Sequence, residues 1–64
     1  MSDFKDRLKA EREELVNKHV KLCEFLATDK ADSLSSGNRK LLSMQVHVMS
    51  DYIDILDVRI ELIG

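Results

Sequence analysis

The sequence predicts an all-α protein, an antiparallel two-helix hairpin that assembles into an oligomeric helical bundle. Three observations carry this. Two long stretches with helix-period apolar residues flank a single run rich in turn formers, and the chain contains no Pro. The second stretch, Leu41 to Ile63, is apolar over an arc of roughly 200° when its residues are set at about 100° each. Finally, the chain has 64 residues and one Cys, Cys23, so no internal disulfide can stabilise it. A chain this short buries a modest core and commonly draws on metal, disulfides or oligomerisation. Among these, oligomerisation is the staple expected here, and a lone Cys fits a reducing cytosol.

The first helix is expected over about residues 3–28. Ser2 can cap it, and Asp3 and Asp6 sit favourably near its positive end. Phe4, Leu8, Leu15, Leu22 and Leu26 form an apolar stripe that His19 completes. Val16, Val20 and Cys23 widen that stripe in the second half, where deeper packing is expected and Cys23 reads as a small buried apolar residue. Lys5, Lys9 and Arg12 border the first half. Arg7 with Glu11 and Glu14 with Lys18 are i, i+4 pairs, worth a few tenths of a kcal/mol each at about the most.

A turn is expected over about residues 29–35, within the segment TDKADSLSSG. Leu34 should tuck beneath it. Ser35 or Ser36 then caps a second helix over about residues 36–63, with Gly37 and Asn38 in its first turn. The connection is short, so the arms should fold back antiparallel as one domain, each about 37 Å long. Leu15, Leu22, Leu26, Leu42, Met49 and Leu56 are the expected core.

Within the apolar arc of the second helix runs a polar line. Asn38, Gln45, Tyr52 and Arg59 recur every seven residues, between Leu41 and Val48 on one side and Met49 and Leu56 on the other. Polar groups buried there need partners, and a buried Arg needs an acceptor or an anion. One reading is a device that fixes register and oligomer state. The other is a ligand or partner surface opening between subunits. Glu11 and Asp51 are candidate carboxylates for Arg59 if it serves an ion pair.

Composition excludes several classes. The formal net charge is −2, which gives no bulk attraction to duplex DNA. No apolar run reaches the ~20 residues of a membrane span, because Asp51, Asp54, Asp57 and Arg59 interrupt the richest stretch. The charge-dense start is unlike a signal peptide, and a cytoplasmic protein is expected. No phosphate loop, nucleophile–base arrangement or HExxH occurs. Asp54 and Asp57 read as ordinary solvation of the polar face. His19 on the apolar seam reads as a satisfied core histidine, and His47 with Asp51 as a surface pair. No catalytic residue, metal site or cofactor is expected.

Two patterns carry a resemblance. EL-x5-KL-x2-FL is formed by Glu14-Leu15, Lys21-Leu22 and Phe25-Leu26. LL-x2-Q-x3-M-x2-Y-x3-L-x2-RI is formed by Leu41-Leu42, Gln45, Met49, Tyr52, Leu56 and Arg59-Ile60. From about Leu8 to Ile63 the chain resembles small phage helical-hairpin proteins of the crAss-phage type. Those are similar in plan to the oligomeric phage sponges that counter CBASS and Thoeris defence. The resemblance implies a homo-oligomer that sequesters a cyclic nucleotide or cyclic ADP-ribose-type signal without cleaving it. Such a ligand would need cationic donors, a stacking surface and amide groups for base edges. Arg12, Arg39, Lys40 and Arg59 could supply the first, Tyr52 the second, Asn38 and Gln45 the third. The other functional class is a structural or regulatory hairpin, a four-helix bundle that binds RNA or a host protein.

Overall fold

The computed structural model describes residues 3–64. The expected cap at Ser2 lies outside them. Three helices follow one another: α1, Asp3–Leu26; α2, Asp29–Asp32; and α3, Ser36–Ile63. α1 and α3 lie against each other along their length as an antiparallel pair, and α2 closes one end. The molecule measures 48 × 14 × 12 Å. It is a rod two helices wide.

α1 stops earlier than the expected boundary near residue 28, because local bonds draw its last carbonyls away from the α pattern. Ala27 N–H donates to Glu24 O at 3.2 Å and Thr28 N–H to Phe25 O at 3.0 Å, both i to i−3. The Thr28 hydroxyl donates to the same Phe25 carbonyl at 2.6 Å. The connection is then a four-residue helix where an irregular turn was expected. Ser33 closes it through hydroxyl and amide bonds to Lys30 O, at 2.6 and 3.2 Å. This compact turn seals Ala31 completely and half-buries Leu34 beneath it. Of the two candidate caps for α3, Ser35 serves: its hydroxyl accepts from Asn38 N–H at 3.2 Å.

The seam between the long helices repeats at alternating spacings of four and three. On α1 it holds Leu8, Arg12, Leu15, His19, Leu22 and Leu26; on α3, Leu42, Val46, Met49, Ile53, Leu56 and Ile60. This is the spacing of helices that pack knobs into holes. Of the large side chains, Leu8 and Leu56 are sealed, at 4% and 0% exposure. The remaining seam residues are half-buried, including five of the six expected core positions. Two cylinders in contact along one line leave both sides of that line open, so a lone hairpin cannot enclose its seam.

Two expectations for α1 are overturned. Phe4 is 53% exposed and lies outside the seam. The second half of α1 is not the more deeply packed: Val20 is 48% exposed and Cys23 is exposed, its Sγ 4.0 Å from His19 Nδ1. The seal lies instead near the open end, where polar side chains reach across the seam. Arg12 pairs with Asp57, and the Tyr52 hydroxyl donates to Glu11. Glu11 and Arg12 are successive residues about 100° apart, so the two bridges pass on opposite sides of the seam. Their aliphatic and aromatic stems cover it as they do so.

Candidate functional site

The open end of the hairpin holds a cleft of roughly 250 Å³, lined by Phe4, Arg7, Leu8, Glu11 and Arg59. A larger hollow over Asp3, Asp6, Arg7 and Ala10 has α1 as its only wall and does not converge on anything. The cleft differs because both long helices build it. The start of α1 brings the Phe4 ring, the Arg7 guanidinium and the Glu11 carboxylate. The end of α3 brings Arg59.

The expected ligand set divides along the rod. Arg59 lines the cleft. Tyr52 borders it through its bond to Glu11 and is 37% exposed. Arg12 is engaged with Asp57, both partly exposed, as a brace between the helices worth about 0–1 kcal/mol. Asp57 is therefore more than solvation of a polar face. Asn38, Arg39 and Lys40 stand at the turn end, some nineteen or more residues from Arg59 along one helix, or about 30 Å. There Arg39 pairs with Asp32 at 3.6 Å, and Asn38 is exposed above its cap. Gln45 is exposed midway. One chain thus joins Tyr52 and Arg59 but not the other five.

Arg59 forms no ion pair among the described residues. Of its two candidate carboxylates, Glu11 accepts from Tyr52, and Asp51 stays exposed. Arg7 forms no ion pair either, so the cleft presents two guanidinium groups against one carboxylate already engaged by a phenol. A planar guanidinium offers paired donors that match phosphate or carboxylate oxygens. Phe4 supplies an exposed aromatic face beside them. Phe4, Arg7 and Glu11 were missed as site residues, although the sequence held a signal. In an antiparallel hairpin turning near residue 31, each residue lies level with roughly 63 minus its own number, which sets Phe4 against Arg59 and Glu11 against Tyr52.

Tyr52 reports on this end of the molecule. Its pKa is raised above the ordinary 10.0, first by the hydrogen bond to Glu11, then by desolvation and by the Glu11 charge, with Arg59 acting the other way. A raised folded value means the bond stabilises the fold fully below the unfolded pKa and is lost as pH rises through the folded one. The chain has one Tyr and no Trp, so tyrosinate absorbance follows this group alone. An alkaline titration should give a midpoint above that of the urea-unfolded chain, and Glu11→Gln should lower it. Equal midpoints in folded, unfolded and variant chains would mean that Tyr52 and Glu11 are not bonded.

The sequence matches the Sequestin family model over residues 2–62, nearly the full chain. This chain belongs to the Sequestin family. No curated protein matches it, and no solved structure does. Among the described residues, no helix is long and apolar enough to cross a membrane, and no cluster of three or more His, Cys, Asp or Glu could hold a metal ion. The long helix pair and the open-end cleft are therefore the framework in which this family member presents its side chains.

Proposed function

We propose that this protein binds a phosphate-bearing cyclic nucleotide or cyclic ADP-ribose-type signal reversibly and withholds it without cleaving it. The observation that carries the reading is the open-end cleft. Arg7 and Arg59 face it without carboxylate partners among the described residues, with Phe4 beside them. Charge-assisted hydrogen bonds from guanidinium to phosphate contribute about 1.5–3 kcal/mol each. Phe4 offers an exposed face on which a base can stack. The family name speaks of sequestration, which needs binding and no chemical step. Kinship with phage hairpins, and a role against CBASS or Thoeris signalling inside a host cell, form part of the same proposal.

Titration calorimetry tests it with cyclic di- and trinucleotides and cyclic ADP-ribose isomers. Saturable heat from at least one of them is expected, weakened by added salt because the contacts are ionic. No heat from any would end the nucleotide reading. The alternative, a structural or regulatory helical bundle that binds RNA or a host protein, would then stand in its place.

A further inference from the structure

The outward face of α3 carries a second repeat at spacings of four and three, beside the one used in the hairpin. Leu41, Val48, Ile55 and Leu62 alternate along it with Gln45, Tyr52 and Arg59. The four aliphatic side chains are 63%, 65%, 54% and 80% exposed, so the hairpin leaves this repeat without a partner. Met44 and Val58, each 53% exposed, widen it.

We infer that this face docks against the same face of a second copy, with the two α3 helices antiparallel and centred near Tyr52. Two arguments identify the occupant, and a third sets the orientation. The first is area. A compact monomer of 7.4 kDa exposes about 4,200 Å², whereas this chain exposes 5014 Å². The excess, about 800 Å², comes with the rod shape and is comparable to one partner's share of a standard interface. The second is register. An aliphatic residue every seventh position over three heptads, with Gln45, Tyr52 and Arg59 between, needs a facing helix of the same period, and its own copy has it. The third is charge. A parallel pair would set Arg59 beside the partner's Arg59. An antiparallel pair separates them by about 21 Å, well beyond the ~8 Å screening length at physiological salt.

The same arrangement completes the cleft, a consequence that rests on the nucleotide reading, whereas the docking does not. At roughly 250 Å³ and open on one side, the cleft is smaller than the ~300–1,000 Å³ of sites that enclose a ligand. Antiparallel docking brings the partner's Gln45 level with Arg59 and carries the partner's Lys40 towards the open end. The two halves of the candidate set, separated along one rod, then meet across the interface.

Cross-linking tests the docking with no nucleotide present. In a Cys23→Ser background, Leu41→Cys and Leu62→Cys are made separately, at sites exposed enough that folding is not at risk, and treated with a short bismaleimide. Neither variant should link to itself. Their mixture should give a covalent dimer, and sedimentation of the wild-type chain should give a dimer or larger at micromolar concentration. Self-linking of either variant would overturn the orientation. A monomer in sedimentation would overturn the interface, as would a mixture that stays unlinked.

Discussion

Leu56→Ala should cost about 2–5 kcal/mol, the range for emptying a fully enclosed aliphatic site. Leu56 is the large side chain whose exposure is zero, and it lies where the Arg12–Asp57 and Tyr52–Glu11 bridges close over the seam. A chain of 64 residues has ~3–10 kcal/mol in all. The substitution should therefore remove roughly half of that and lower the urea midpoint in proportion. Leu22→Ala, at a half-buried seam position, should cost less than Leu56→Ala. Equal or reversed losses would mean that the seal lies elsewhere, at the turn end of the rod.

Arg59→Met should weaken nucleotide binding by about 10- to 100-fold, the equivalent of one charge-assisted hydrogen bond to an anion. The helix content and the urea midpoint should hardly move, since Arg59 is exposed and joins no ion pair among the described residues. The assembly should hold or become firmer, because a charge leaves a position flanked on that face by Ile55 and Leu62. Arg12→Met gives the contrast. It removes the brace to Asp57 and should cost stability of up to about 1 kcal/mol with little change in ligand affinity. If Arg59→Met instead disturbs assembly and leaves affinity unchanged, Arg59 serves an ion pair between copies.

The contrast between those arginines shows what the sequence could and could not reveal. The hairpin was legible, because helical period, turn chemistry and the absence of Pro are local properties. Ser35 was legible as a cap for the same reason. The polar line Asn38, Gln45, Tyr52 and Arg59 was legible as a line on one helix. What escaped was every property set by the other helix. Arg12 was grouped with free phosphate donors, yet its partner Asp57 stands 45 positions away. Cys23 was expected to be buried from its chemistry, but it falls on a side of α1 that α3 does not cover. Phe4 was assigned to the seam from its spacing alone, and the seam ends before it reaches that residue. The breadth of the α3 apolar arc was legible too. Its division into an inward repeat around Leu56 and an outward one around Val48 required the hairpin.

The central claim is retention of an intact nucleotide. It is tested most directly by incubating the protein with each cyclic nucleotide, filtering out the protein, and weighing the small molecule by mass spectrometry before and after heat release. Free ligand should fall in proportion to the protein added, and heating should return it with its mass unchanged. A ligand that stays in the filtrate, or that returns as a cleaved product, would contradict the account.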